Sequence, residues 1–285
     1  MRTHDVSGDM PALACDSHCH VFGPASRFPF DPQRRYTPDD AGFDMLRAMH
    51  RRLGLQRGVL VQPNAHGHDH AAILHALAHG AGRYRAVGLL PGDTPMRTLL
   101  ELDQAGMRAV RYNFVSHLAD ATLADVCAMA ERIAPLRWHI CIHADDASLP
   151  GLLPDLAALP IPCVIDHMGR VDAAKGLAGE AFRALLSAGR ASGIWVKISG
   201  VDRLAGGRPP YSDGMPFVRA LLQEMPERIL WGTDWPHPNV AGPTPDDAAL
   251  LALFFDLCPD PALRERILVH NPQTLYRFNN IEAAA

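Results

Sequence analysis

Two histidines two residues apart are the first feature of this chain that could do chemistry. They are His18 and His20, in the stretch Ala-Cys-Asp-Ser-His-Cys-His-Val at residues 14–21, which a Gly-Pro turn follows. Alternate side chains leave the same face of a strand, so both imidazoles, and Asp16 with them, are expected to point one way. Buried polar groups need partners, so the pattern favours a functional pair over two core histidines bonded to backbone.

Polar residues also stand at the ends of several later apolar segments. These residues are Arg111, His143, His167 and Asp234, with Arg203 just beyond another such segment. If the segments are parallel strands of one sheet, their carboxyl ends lie at one edge and the side chains meet there. Several imidazoles, a carboxylate and two guanidiniums would be costly to bury together in a hydrophobic core. Their common location therefore indicates an active site.

Two kinds of chemistry suit this set of side chains. In the first, His18, His20, His143 and Asp234 hold one divalent metal, zinc or manganese, with an open water position, and Asp234 takes the proton of that water. In the second, no metal is present: His18, His20 and His167 donate hydrogen bonds to a carbonyl oxygen, while Asp234 alone activates water. Both versions stay open at this point. Arg111 and Arg203 suit substrate carboxylates, because a guanidinium forks onto two oxygens.

The elements that must position these residues alternate between strand and helix. Strands are predicted at 15–21, 57–62, 85–90, 107–113, 137–143, 162–167, 194–199 and 228–233. Helices are predicted between them and after the last, at 43–53, 69–79, 95–104, 122–133, 149–159, 179–192, 215–225 and 245–257. Thr94 is the predicted cap of the third helix, and Asn271 is the predicted cap of a short helix in the tail.

Eight such units without a break in composition predict an α/β fold, a (β/α)8 TIM barrel, as a single domain over residues 1–285. The alternative is a doubly wound open sheet. That fold places a Gly-rich turn directly after the first strand, and Phe22-Gly23-Pro24 is not such a turn.

Composition narrows the classes of partner. The chain has 285 residues, 48% of them hydrophobic and 20% charged, with a net charge of −4. The acidic balance argues against nucleic acid and anionic membranes as partners, and no apolar run has membrane-spanning length. Residues 1–10 hold no apolar signal segment, and the six cysteines include no Cys-x-x-Cys pair. We therefore expect a cytoplasmic protein with reduced thiols that acts on a small molecule.

Several motifs together resemble the amidohydrolase superfamily over the whole chain. Within that superfamily, the motifs are most similar to those of the 2-pyrone-4,6-dicarboxylate lactonases and related sugar lactonases. The motifs are Asp16-Ser-His-Cys-His-Val-Phe-Gly-Pro, Arg35-Tyr36-Thr37-Pro38, Gly58-Val-Leu-Val-Gln-Pro, Arg111-Tyr-Asn-Phe, Ile165-Asp-His-Met-Gly-Arg170, Val196-Lys-Ile-Ser-Gly and Gly232-Thr-Asp-Trp-Pro-His-Pro.

The resemblance implies hydrolysis of a cyclic ester, without a metal in the pyrone-dicarboxylate branch. It makes Asp234 the general base and gives His18, His20 and His167 the polarisation of the lactone carbonyl. The positions that would hold substrate carboxylates or neighbouring groups are Tyr36, Arg111 and Arg203.

Two positions depart from the family pattern. His117 stands where the family has a second substrate-binding Arg, and His143 stands where it has Tyr. The first change weakens a carboxylate contact, and the second restores an imidazole that metal-dependent relatives use. Both favour a related lactone and make a bound metal more plausible. The alternative function is a metal-dependent decarboxylase of the same superfamily, with His143 as a ligand.

Overall fold

Eight parallel strands in sequence order form the centre of this computed structural model, which describes residues 9–115, 121–191, 193–206, 208–240 and 242–279. The strands are β1 Cys15–Cys19, β2 Arg57–Val61, β3 Tyr84–Gly88, β4 Met107–Asn113, β5 His139–His143, β6 Cys163–Ile165, β7 Ile194–Lys197 and β8 Ile229–Leu230. Backbone hydrogen bonds from Ser17 to Trp231 (2.9 Å) and from Asp234 to His18 (2.8 Å) join the two edges. The predicted (β/α)8 barrel is confirmed.

Helices cover the outside of the strands. They are α1 Phe43–Leu53, α2 Ala71–His79, α3 Met96–Ala105, α4 Leu123–Ile133, α5 Leu149–Ala157, α6 Glu180–Ala191, α7 Val201–Leu204, α8 Met215–Glu224, α9 Asp247–Leu257, α10 Pro261–Glu265 and α11 Asn271–Tyr276, the last two joined by a π-helical segment, Arg266–His270. Most of them end within two residues of their predicted bounds. The helical run that begins at Pro261 was predicted only from Asn271 onward. Its start, with Asp260 as the cap and Pro261 at the first helical position, was missed.

Two predicted helix caps are wrong. Pro95, not Thr94, is the cap residue of α3, and the Thr94 hydroxyl donates instead to the Pro91 carbonyl at 2.6 Å. Asn271 does not begin a separate helix, because the π-helical segment runs directly into α11. Its buried amide donates to the carbonyl groups of Pro226 (2.8 Å) and Ile229 (2.7 Å). Both side chains therefore donate to backbone carbonyls and do not accept from the first amides of a helix.

The first strand contains an irregularity that changes the direction of Asp16. The register of β1 against β2 shifts between Asp16 and Cys19, as at a β-bulge. Asp16 consequently points toward α1, where its Oδ2 lies 3.2 Å from His50 Nε2. The expectation that Asp16 shares the face of His18 and His20 is wrong, because one irregular residue breaks the alternation of side chains.

Apolar side chains fill the interior of the barrel at its amino-terminal end. The interior cluster includes Cys15, Val59, Val61, Val87, Ala109, Cys141, Val164 and Leu230, with Leu275, Tyr276 and Phe278 packed below. A second apolar layer lies between the strands and the helices. The packed interior leaves the carboxyl ends of the strands as the place for a polar site. Within the described ranges, no helix combines the length and apolar character needed to span a bilayer.

A buried imidazole, that of His139, lies below the carboxyl end of the barrel and should make the stability of the protein depend on pH. His139 is 1% exposed, and neither ring nitrogen has a hydrogen-bond partner among the described residues. Burial, and then the Lys197 cation, lower the pKa of His139 to about 3. The unfolded chain binds a proton near its ordinary pKa of about 6.5, so the group lowers stability increasingly as pH falls from that value toward the folded pKa.

We expect His139→Leu to remove this contribution. The destabilisation by His139 grows by about 1.4 kcal/mol for each pH unit below about 6.5. The free energy of unfolding of the variant, compared with that of the wild type, should therefore be about 2 kcal/mol higher at pH 5.0 and almost unchanged at pH 7.5. Urea unfolding at both values measures it. His270→Leu, at an exposed histidine, is the matched control and should show no such difference. Equal pH dependence in wild type and His139→Leu would contradict the assignment.

Candidate active site

Three imidazoles surround one carboxylate oxygen at the carboxyl end of the barrel. Asp234 Oδ1 lies 3.2 Å from His20 Nε2, 3.6 Å from His18 Nε2 and 3.9 Å from His167 Nε2. His18 lies in β1, His20 directly follows that strand, His167 lies in the turn after β6, and the carboxylate follows β8. All four residues are at most 3% exposed. The structure therefore brings together the four residues predicted to be catalytic.

A second carboxylate, Asp166, is completely buried behind the first. Its Oδ1 lies 3.1 Å from Lys197 Nζ and 3.4 Å from His18 Nδ1, and its Oδ2 accepts a hydrogen bond from Arg111 Nε at 2.8 Å. Burial raises the pKa of Asp166, but Lys197 and Arg111 outweigh burial and hold it well below its usual value. Asp166 is thus an anion that holds His18, Lys197 and Arg111 in place, a role that was not predicted from the sequence.

The remaining oxygen of Asp234 is also engaged. Asp234 Oδ2 accepts hydrogen bonds from Arg203 Nε at 2.8 Å and from Arg203 Nη2, which also donates to the Pro238 carbonyl at 3.1 Å. Burial raises the pKa of Asp234, but the Arg203 guanidinium outweighs it and holds the pKa well below the usual range. Asp234 is therefore ionised and can accept a proton.

The contacts of His20 determine which of its nitrogens carries a proton. His20 Nδ1 lies 2.8 Å from the Val61 carbonyl, and a carbonyl only accepts, so Nδ1 carries hydrogen. In the neutral ring, Nε2 then has a lone pair that faces Asp234 Oδ1 at 3.2 Å. Two acceptors at that distance need a proton or a cation between them. His20 Nε2 is therefore oriented to share a proton, or a bound cation, with Asp234.

His18 has two alternatives that correspond to the two chemistries. Lys197 Nζ lies 3.1 Å from His18 Nδ1, and when it donates there, Nε2 carries the hydrogen and can donate to a substrate oxygen. When Nδ1 instead donates to Asp166, Nε2 has a lone pair for a metal. Nε2 is buried without a hydrogen-bond partner among the described residues. Burial, and then Lys197, lower the pKa of His18 to about 3, so the ring is neutral in both cases.

The other two histidines are held by neutral polar groups. His167 Nδ1 lies 3.0 Å from Ser199 Oγ, and His143 Nδ1 lies 3.1 Å from Asn113 Oδ1. Burial is the main cause that lowers the pKa of both rings. The ligand atoms of His18, His20 and Asp234 all lie within 4.8 Å of one another, and His143 is not in that group. Three of the four residues predicted as metal ligands are therefore assembled.

A cavity of about 130 Å³ opens onto this cluster. Its lining includes three residues predicted to bind substrate, Tyr36, Arg111 and Arg203, and also His143. Burial raises the pKa of Tyr36 to about 12, so its hydroxyl is protonated and can donate. His117 lies outside the described residues. Arg170 and Asn239, which were not predicted from the sequence, also line the cavity; the Asp-His-Met-Gly-Arg motif was the signal that could have indicated Arg170.

Lys197 is expected to be essential for stability, because it neutralises a carboxylate with no access to water. Lys197→Met should lower the free energy of unfolding by about 3–5 kcal/mol, the usual cost of breaking a buried ion pair. Urea unfolding at pH 7.5 measures it. The same substitution at Lys175, whose side chain is 54% exposed in its contact with Asp146, is the control and should change little. Equal effects of the two substitutions would refute a special role for the buried pair.

Comparisons with known proteins agree with this architecture. Residues 15–278 match the amidohydrolase family model. A 2-pyrone-4,6-dicarboxylate hydrolase of Comamonas testosteroni is 41% identical over 277 residues, which cover 94% of this chain and 91% of that protein. A 4-sulfomuconolactone hydrolase of Rhizobium radiobacter is 36% identical over 283 residues, with 96% and 93% covered.

Solved structures give the same result. A crystal structure of a probable 2-pyrone-4,6-dicarboxylic acid hydrolase from Acinetobacter baumannii, with citric acid bound, is 27% identical to this chain and superposes with a TM-score of 0.84. The superposition covers 93% of this chain and 100% of the chain in the crystal structure. The family model and the two hydrolases confirm the resemblance seen in the motifs: this chain belongs to the amidohydrolase family.

Proposed function

We propose that this enzyme opens the lactone ring of a small carboxylated substrate by hydrolysis, and that 2-pyrone-4,6-dicarboxylate is the first substrate to test. The relatives named as hydrolases of a pyrone dicarboxylate and of a sulfomuconolactone support this reaction class. The observation that supports this proposal most directly is the position of Asp234 Oδ1, which lies within 3.9 Å of the Nε2 atoms of three histidines. This arrangement places a proton acceptor beside groups that can stabilise a developing oxyanion.

In the proposed reaction, water attacks the lactone carbonyl carbon and gives a proton to Asp234. His18, His20 and His167 surround the carbonyl oxygen, which becomes negative as the bond to water forms. The bond between the carbonyl carbon and the ring oxygen then breaks, and Asp234 returns the proton to that oxygen. The product is the open carboxylic acid.

Substrate carboxylates are assigned to the cationic and hydroxyl groups that line the cavity. Tyr36, Arg111 and Arg203 are the proposed contacts, with His117 kept as a candidate from the sequence. The relative crystallised with citric acid supports a preference for molecules that carry several carboxylates. All six cysteines are free thiols, which suits the cytoplasmic location that we propose.

A divalent ion fits only part of the site. His18, His20 and Asp234 would hold it. The atom that such an ion would satisfy is His18 Nε2, which is buried and has no hydrogen-bond partner in the described parts of the chain. When bound, the ion would polarise the carbonyl and acidify water. However, Lys197, Arg111 and Arg203 already neutralise the two buried carboxylates, so a dication would gain little charge compensation. The metal-free version is therefore the one that we propose.

Asp234→Asn tests the assigned base. The amide cannot take a proton, so kcat should fall about a thousandfold, within the range for general bases. Ring opening of 2-pyrone-4,6-dicarboxylate, measured as acid release in a pH-stat, gives the rate. Asp256→Asn, at an exposed residue of α9, is the matched control and should keep full activity. Near wild-type turnover by Asp234→Asn would overturn the assignment.

Chelation distinguishes the two versions of the site. After dialysis against EDTA, we expect kcat/KM to stay within about twofold of its starting value, because no step depends on a Lewis acid. Elemental analysis before and after dialysis accompanies the assay. If activity is lost and returns with Zn²⁺ or Mn²⁺, the ion belongs on His18, His20 and Asp234. In that case carbon dioxide release would also be measured, since the decarboxylase alternative requires a metal.

A further inference from the structure

Three arginines line the catalytic cavity, and they differ in their partners. Arg203 is bound to Asp234, and Arg111 donates its Nε to Asp166. Arg170 forms neither a hydrogen bond nor an ion pair within 4.0 Å with any residue in the part of the chain that the structure describes. It is therefore the one arginine of this lining whose guanidinium is uncommitted within those residues.

Among the residues that the structure describes, none of the charges near Arg170 is paired with it directly. Asp145, Asp234 and Arg203 are close enough to influence it electrostatically. Asp234 is already occupied by Arg203, and Asp145 Oδ1 accepts hydrogen bonds from Ser148 N (3.0 Å) and Ser148 Oγ (2.8 Å). Burial, and then the neighbouring Arg203, lower the pKa of Arg170, so an added anion would relieve an unfavourable environment.

The backbone delivers Arg170 to the cavity through an unusual turn. His167, Met168, Gly169 and Arg170 all have positive φ angles, between 45° and 65°. A Cβ on Gly169 would lie 2.4 Å from Leu149 Cδ2, so a larger residue at this positive φ would also have to displace the Leu149 side chain of α5. Consecutive left-handed residues other than glycine are strained, and such strain concentrates at functional sites. Here the turn places His167 and Arg170 at the same cavity.

The charge around the cavity also points to an anionic ligand. Lys197, Arg111, Arg170 and Arg203 are cations, whereas the buried anions are Asp166 and Asp234. Low pKa values keep His18, His143 and His167 neutral. These cations outnumber the two carboxylates, so the cavity favours an anionic ligand such as a dicarboxylate.

We propose that Arg170 binds one carboxylate of the substrate and so helps to select dicarboxylates. This inference rests on the proposed function and adds a specificity-determining residue to it. The guanidinium can fork onto both oxygens of a carboxylate, and the partly buried position strengthens that contact relative to one in open solvent.

Ligand binding tests the role of Arg170 without any turnover. The probes are pyridine-2,4-dicarboxylate, an unreactive planar dicarboxylate, and the two half-amides in which one or the other carboxylate is replaced by a neutral carboxamide. Calorimetry measures their binding to the wild type, Arg170→Met and Arg170→Lys. Arg97→Met, at a side chain that is 89% exposed, is the control. Thermal melts confirm that the variants are folded.

Arg170→Met should weaken the binding of the dicarboxylate and of one half-amide about 10- to 100-fold, as expected for the loss of a charge-assisted contact. The other half-amide already lacks the carboxylate that Arg170 contacts, so its binding should change less than about threefold. Arg170→Lys should be intermediate, because lysine keeps the charge but not the fork. Equal weakening of all three probes, no weakening, or a wild type that binds none of them would overturn the proposal.

Assays with the lactone separate this proposal from the proposed function. Arg170→Met should raise KM for 2-pyrone-4,6-dicarboxylate more than it lowers kcat, since the contact exists before the transition state. If the wild type opens no lactone but the half-amide pattern is found, the hydrolase proposal fails and the carboxylate contact stands. If lactones are opened and the half-amide pattern is missing, only the Arg170 inference fails.

Discussion

The ion pairs of Asp166 are the interaction on which the polar end of this barrel depends. Asp166 is completely buried, and an unpaired charge at that depth would be prohibitive. Its partners, Lys197, Arg111 and His18, come from β7, β4 and β1, so one carboxylate ties together strands that are distant in sequence. These contacts leave His18 Nε2 directed at Asp234.

A second buried carboxylate secures the seam of the barrel. Asp16 Oδ1 accepts from the backbone amides of His18 and Thr233, both at 3.0 Å, and Asp16 Oδ2 accepts from the Thr233 hydroxyl at 2.5 Å. Thr233 directly precedes Asp234. The irregularity in β1 thus has a structural use: it turns Asp16 outward, where it can connect the first strand to the segment that carries the catalytic carboxylate.

The buried carboxylates and the buried imidazoles of the site have different ionisation states. Cations beside Asp166 and Asp234 keep both carboxylates charged, while desolvation keeps His18, His143 and His167 neutral. Neutral imidazoles can donate to a developing oxyanion without repelling the nearby arginines, and a charged Asp234 can accept a proton. The surplus positive charge at Arg170 and around Asp166 then favours an anionic substrate over a neutral one.

The sequence by itself determined the order of eight strands and the polar residues at their ends. Hydrophobic segments and breakers alternate regularly, and parallel strands bring their carboxyl ends to one edge, so His18, His20, His167 and Asp234 could be placed together in advance. The specific motifs also identified the family. Local patterns did not predict the bulge at Asp16 or the left-handed turn through Arg170, and they wrongly predicted helix caps at Thr94 and Asn271, because tertiary contacts override local preferences there.

Only the tertiary structure decided which charges of the described residues are paired with one another and which one is not. Lys197 meets His18 across 179 positions of sequence, and Arg203 meets Asp234 across 31. Both pairs form because barrel closure brings separate strand ends to one mouth, and neither spacing follows from any local pattern. The same closure keeps His143 out of the three-residue group around Asp234 and leaves Arg170 facing the cavity. These properties belong to the packing of side chains in three dimensions, which no periodicity in the chain encodes.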